Sequence, residues 1–121
     1  MEYSIEKALA TALENLAHLV EIPSCSRQED GTAEYLLSHL SGRGIAAQRV
    51  KNNVWALNRH FDPKLPTLLL CSHHDTVRPA AGYTRDPYRA SLEQGRLYGL
   101  GSNDAGAPLV GLIEAFARFY L

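Results

Sequence analysis

The stretch Thr67-Leu68-Leu69-Leu70-Cys71-Ser72-His73-His74-Asp75-Thr76-Val77 decides how the rest of the chain is read. The run from Thr67 to Cys71 has no polar alternation, which predicts a strand buried on both faces at the centre of a sheet. The polar residues that follow then stand at the carboxyl edge of that strand, where open α/β sheets collect their ligands. Strand side chains alternate, so His73 and Asp75 share one face while His74 takes the other. Asp75 is thereby placed to accept a hydrogen bond from the distal nitrogen of His73, the arrangement that fixes the tautomer and aims a metal-binding imidazole. The same spacing also fits a plainer reading, in which both residues end a strand and bond to loop backbone.

A second apolar-to-polar break, Leu97-Tyr98-Gly99-Leu100-Gly101-Ser102-Asn103-Asp104, leaves another carboxylate in a glycine-rich turn ahead of a helical pattern. Alone, Asp104 reads as a helix N-cap. Paired with His73 and Asp75, it reads as part of a metal-dependent hydrolase site.

Working outward, apolar residues recur at helical spacing from Ser4 to Glu21, with Ser4 as N-cap and Pro23 as the stop. A second helix is expected from about Thr32 to Ser41, capped by Asp30 or Thr32 and ended by Gly42 or Gly44. Residues 45–50 and 54–58 read as a hairpin around Lys51-Asn52-Asn53, whose Asn pair tolerates positive backbone dihedrals. Residues 61–66 and 78–87 read as loops. Residues 90–92 and 96–98 form a second hairpin around Glu93-Gln94-Gly95. The last segment, 108–120, is helical, with Leu109, Leu112, Ile113, Phe116 and Tyr120 on one face. Helices alternating with strands predict an α/β fold.

The chain has 121 residues, enough for one domain. Its 12 Lys plus Arg against 13 Asp plus Glu leave no basic field, so no nucleic-acid partner is expected. No basic-then-apolar leader and no apolar run of about 18 residues is present, so no membrane partner is expected and a cytoplasmic location is the default. Cys25 and Cys71 are too few and too far apart for a disulfide framework, and Cys71 reads as a buried free thiol. His18, His39 and His60 read as surface histidines, Trp55 as a strand-packing residue, and Arg78 and Arg85 as solvated loop charges. The chain stops inside an apolar helical pattern, which reads as the front part of a longer protein.

These motifs resemble the zinc-dependent amidohydrolases and exopeptidases that include acetylornithine deacetylase, succinyl-diaminopimelate desuccinylase, aminoacylase and carboxypeptidase G. The likeness rests on Ser72 to Val77, on Gly99 to Asp104, on Asp86-Pro87-Tyr88, on Gly95 to Gly99, and on the opening Leu19-Val20-Glu21-Ile22-Pro23-Ser24. It implies that residues 1–121 are the N-terminal part of a three-layer αβα catalytic domain with a mostly parallel central sheet. It further implies that His73 is a ligand of one zinc, that Asp104 bridges two, and that Asp75 orients His73 in a catalytic role, with Co2+ a possible substitute for zinc. His74 stands at a variable position and receives no role. A non-proline cis peptide is expected at Asp104-Ala105. The implied reaction is amide cleavage of a small-molecule N-acyl amino acid by a homodimeric full-length enzyme, with a dipeptidase or carboxypeptidase, or a non-enzymatic truncated module, as alternatives.

Two departures stand out. The family's common Met-Lys-Gly-Gly after the bridging aspartate is replaced by Ala105-Gly106-Ala107-Pro108, and the Ser102-to-Ala107 stretch resembles an acetylornithine-deacetylase-like branch. The family's catalytic glutamate pair and its later ligands have no counterpart here. Glu114, in the last helical pattern, reads as a solvated helix residue.

Overall fold

Helices and short hairpins alternate along the computed structural model, which describes residues 3–121. Helix α1 spans Ile5–Glu21, and the Ser4 hydroxyl accepts the Lys7 N–H at 3.4 Å, as the cap reading requires. It stops where Pro23 forces Ile22 into extended backbone, φ −99° and ψ 112°. Helix α2 spans Asp30–Gly42. Neither expected cap acts there: Glu29 holds the N-cap position without a side-chain cap bond, because its carboxylate is taken by the Arg27 N–H and Asn52. The other end closes as a Schellman motif, with Gly44 N–H on the Ser41 carbonyl at 3.0 Å and Ile45 N–H on the Leu40 carbonyl at 3.1 Å. Gly44 takes φ +77° to do so.

Strands β1 (Ala47–Val50) and β2 (Asn53–Ala56) pair antiparallel, with Val50 opposite Asn53. The two-residue turn is Lys51-Asn52, and the positive dihedral falls on Lys51 (φ 54°), not on the Asn pair. Asn52 instead spends its side chain on Glu29 and Arg49. Strands β3 (Ser91–Glu93) and β4 (Arg96–Tyr98) form the second hairpin around Gln94-Gly95, both at positive φ. Helix α3 runs Ala107–Tyr120 with Pro108 in its first turn, where a missing N–H costs nothing.

The core is helical. Leu16, Leu19 and Val20 of α1, Leu36 and Leu40 of α2, Ile45, and Val110, Ile113, Ala117 and Tyr120 of α3 form one buried cluster. Of the expected α3 face, Ile113 and Tyr120 are in the core, while Leu109, Leu112 and Phe116 are half-buried and line a groove beside α2 and β2. Glu114 corrects a second expectation. It is buried, not solvated, because the Arg43 guanidinium grips both its carboxylate oxygens at 2.6 and 3.1 Å and so pins the end of α2 to α3.

The central strand is the main difference. Residues 67–71 carry no ladder, Leu68 and Leu69 are 83% and 80% exposed, and Cys71 is exposed as well. A strand buried on both faces needs neighbours for its N–H and C=O groups. Among the described residues the two sheets are antiparallel hairpins, and the parallel pairing is limited to one bridge, Cys25 with Thr76. Leu69, Leu70 and Cys71 therefore form one wall of an open groove of about 470 Å3, facing Leu36, Val54 and Phe116. The mixed helix-and-strand class agrees with expectation; a parallel central sheet is not among the described elements.

Candidate metal centre

The His73-to-Val77 segment is fastened by backbone before any side chain acts. Thr76 N–H donates to the Ser24 carbonyl at 2.8 Å and Ser26 N–H to the Thr76 carbonyl at 3.1 Å, which clips the segment to the turn after α1. The glycine-rich turn approaches from the other side. Gly101 (φ +76°) lies so close to Thr76 that a Cβ there would sit 2.4 Å from Thr76 Cγ2, and one on Gly99 would sit 2.3 Å from Val20 Cγ1. Only glycine permits both the dihedral and the approach. Ser102–Gly106 then forms a wide turn closed by Gly106 N–H on the Gly101 carbonyl at 2.9 Å. Inside it the Asp104-Ala105 peptide is cis, as the resemblance implied.

This packing brings three predicted residues together. His73 Nδ1 lies 3.0 Å from Asp75 Oδ1 and 3.2 Å from the Asp75 main-chain carbonyl, which is its hydrogen-bond partner, and His73 Nε2 lies 3.0 Å from Asp104 Oδ1. Asp104 is not a cap: α3 begins after Gly106 and has no side-chain cap bond. A neutral imidazole carries one N–H, so it can donate to only one of two carboxylates. With the proton on Nδ1 toward Asp75, the Nε2 lone pair faces a carboxylate oxygen. Ser26 donates its hydroxyl to the other Asp75 oxygen at 2.5 Å, and this bond, against burial that acts the other way and with a smaller contribution from His73, holds the Asp75 carboxyl below its ordinary range.

The donor set suits zinc in kind, with an imidazole nitrogen and a carboxylate oxygen spaced close to the roughly 3.3 Å edge of a tetrahedron whose bonds are about 2.0–2.1 Å. It falls short in number. Among the described residues no group of three or more His, Cys, Asp or Glu side chains could hold an ion, and Asp75 stands behind His73 as its orienter.

His74 and Ser26 carried no role in the sequence reading. His74 leaves the site: its Nε2–H donates to the Asn52 carbonyl at 2.8 Å and its Nδ1 meets Thr32 Oγ1 at 2.6 Å, tying the segment to α2 and the β1–β2 turn. The alternation of side chains gives that direction, away from His73 and Asp75; nothing in the sequence names the partners. Ser26 lies 49 positions from Asp75, so only the fold reveals that contact. Arg85 pairs with Glu93 at 2.6 Å over the Tyr98 ring, so it is an engaged group and not the solvated loop charge expected. His39 is half-buried, not a surface residue, and accepts a bond from buried Asn15 at 2.9 Å.

The model of peptidase family M20/M25/M40 matches residues 69–120, which contain His73, Asp75 and Asp104. Over those residues this chain is similar to that family. A succinyl-diaminopimelate desuccinylase of Wolinella succinogenes is 32% identical over 111 residues, covering 89% of this chain and 30% of that protein. A Pyrococcus furiosus protein provisionally named LysW-lysine/LysW-ornithine hydrolase is 39% identical over 98 residues, covering 80% of this chain and 27% of that protein. A second desuccinylase, from Delftia acidovorans, is 24% identical over 121 residues, with 92% and 31% covered. The chain thus spans about a third or less of the length of these relatives. No helix among the described residues is long and apolar enough to cross a membrane.

Proposed function

We propose that this chain is the ligand-bearing front of the catalytic domain of an M20 amidohydrolase that removes an acyl group from the amino group of an amino acid. The observation that carries the reading is the His73 imidazole held between two carboxylates, with Asp75 on Nδ1 and Asp104 opposite Nε2. In this reading His73 and Asp104 hold metal and Asp75 keeps the proton on Nδ1, so that the Nε2 lone pair stays available. Bound zinc would supply Lewis acidity and a water of lowered pKa, and a pair of ions sharing Asp104 would do so jointly. The parallel central sheet and a homodimeric whole protein belong to the same proposal.

The substrate class follows from what the similar proteins are named for. Succinyl-diaminopimelate and LysW-lysine or LysW-ornithine share an amide on a diamino acid, and N-acetyl-ornithine, suggested by the Ser102-to-Ala107 stretch, has the same form. An N-acylated diamino acid is therefore the proposed substrate, with acetyl on ornithine as the first candidate.

The test is amine release from N-acetyl-ornithine and N-succinyl-diaminopimelate by the natural protein carrying this segment, stripped with chelator and restored with zinc. Zinc-restored turnover that disappears in His73→Ala supports the proposal. Turnover of dipeptides alone would move the reading to an exopeptidase, and turnover indifferent to chelation would overturn it. The 121-residue chain alone is expected to show none. The glutamate pair that supplies the base in the resembling family has no counterpart in these residues, and Glu114 is engaged by Arg43.

A further inference from the structure

We infer that Ser26 is a positioning residue for this metal site, holding the outer oxygen of Asp75 so that the inner one keeps His73 in its metal-binding tautomer. The inference rests on the reading of His73 as a ligand. It concerns a hydroxyl far away in sequence, on the turn that follows α1 and Pro23.

The geometry makes the contact specific. A carboxylate with one oxygen on His73 Nδ1 can still rotate about its Cβ–Cγ bond, presenting either oxygen or neither. Ser26 removes that freedom by donating to Asp75 Oδ2 at 2.5 Å while Asp75 Oδ1 faces His73 Nδ1 at 3.0 Å. The hydroxyl has a single proton, and its other nearby acceptor, the Thr76 carbonyl, is 3.5 Å away, so the carboxylate takes it.

Ser26 is itself fixed on two sides. Its N–H is bonded to the Thr76 carbonyl at 3.1 Å, and the turn behind it is closed by Gln28 N–H on the Cys25 carbonyl at 2.8 Å. The Thr76 N–H returns a bond to the Ser24 carbonyl at 2.8 Å. The hydroxyl is thus delivered to Asp75 by backbone that is already pinned, which is what distinguishes a positioning group from a passing surface contact. The chain of contacts runs Ser26 to Asp75 to His73, and ends at the nitrogen that faces Asp104.

Outer partners of metal-bound histidines typically account for about 10–100-fold in metal affinity. Ser26 acts one bond further out and is solvent-exposed, so a loss of roughly 3–10-fold is expected, at or below the lower end of that range. Two readouts on the chain labelled with 15N histidine test it. The first needs no metal: long-range 1H–15N correlation at pH 8 reads the His73 tautomer. The second is a zinc titration followed at the same ring.

Ser26→Ala loosens the carboxylate and leaves the Asp75 carbonyl, 3.2 Å from Nδ1, as the steady acceptor, so it should shift His73 part of the way from the Nδ1–H tautomer and weaken zinc binding by that factor, while Ser26→Thr restores both and the urea midpoint stays that of the parent. An unchanged tautomer in Ser26→Ala, with solvent filling the place of the hydroxyl, would overturn the inference. If zinc leaves the His73 ring of the parent chain undisturbed, the ligand reading fails, yet the tautomer comparison still decides what Ser26 does to Asp75 and His73. Should Ser26→Ala not fold, Ser26→Cys against Ser26→Thr asks the same question: a weak donor must give the shifted tautomer and a strong one the native tautomer.

Discussion

Breaking the Arg43–Glu114 pair should cost more when arginine is removed than when glutamate is neutralised. The two side chains differ in access to water: Arg43 is 24% exposed and Glu114 10%. Removing one partner of a fully buried pair costs about 3–5 kcal/mol, because the other charge is stranded. In Arg43→Met the stranded group is the more buried carboxylate, and about 3 kcal/mol is expected, at the bottom of that range since some solvent reaches it. In Glu114→Gln the shape is kept and one guanidinium bond survives. The other donor meets an amide NH2, but Arg43 can turn toward solvent, so about 2 kcal/mol is expected, close to one hydrogen bond to a charged group. The double variant Arg43→Met with Glu114→Leu should lie above Arg43→Met in stability, because no charge is left without a partner.

Urea denaturation followed by far-ultraviolet circular dichroism gives these differences directly, and the melting temperature should fall by about 3–6 °C per kcal/mol for a domain of this size. Single variants within about 0.5 kcal/mol of the parent, with the double variant no more stable than Arg43→Met, would refute the argument. Such a result would mean that α2 and α3 are not joined through this pair.

Other outcomes follow from the same geometry. Gly101→Ala should destabilise by about 2 kcal/mol or more, from the left-handed dihedral and the Thr76 contact together, whereas Gly82→Ala, at φ +92° in open space, bears only the dihedral cost; thermal melts compare them. Leu36→Ala, at a buried position, should cost about 2–4 kcal/mol, while Leu68→Ala, at an 83% exposed one, should cost less than about 0.5 kcal/mol; equal losses in urea would show residues 67–71 to be packed. The His39 imidazole is held below its ordinary 6.5, first by burial and next by Arg43. The unfolded chain therefore binds a proton more readily, so this contribution to stability is complete above about pH 6.5 and declines as pH falls toward the lower folded value. His39→Gln should flatten that part of the stability-versus-pH curve, and an unaltered slope would remove His39 as its source.

The helices were legible because their signals are local. Ser4 with Lys7, the apolar period from Ile5 to Val20, Pro23, and Gly44 act over one or two turns, and the structure places α1 and the end of α2 accordingly. The hairpins were legible for the same reason, although the positive dihedral in the first fell on Lys51, since the Asn52 side chain was recruited by Glu29 and Arg49 from elsewhere in the fold. Glu114 was misread because its one-dimensional setting is an ordinary helix pattern, and only packing against α2 supplies the guanidinium that permits burial. The Thr67-to-Cys71 run was misread in placement because an apolar, unalternated sequence specifies that a segment should be covered, not which strands will cover it.

The sequence by itself determined which residue types could meet: an imidazole two positions before a carboxylate, a glycine turn ending in another carboxylate, and the helices that carry them. Those are short-range facts, set by backbone period and by residues that tolerate particular dihedrals. Tertiary structure decided that His73 would lie between Asp75 and Asp104, and that Ser26 would brace Asp75. It also turned His74 to bind Thr32 and Asn52. These contacts join positions far apart in the chain, and their geometry follows from how closely Gly101 can approach Thr76 and from how the Ser24–Ser26 turn pairs with it, neither of which any local pattern encodes.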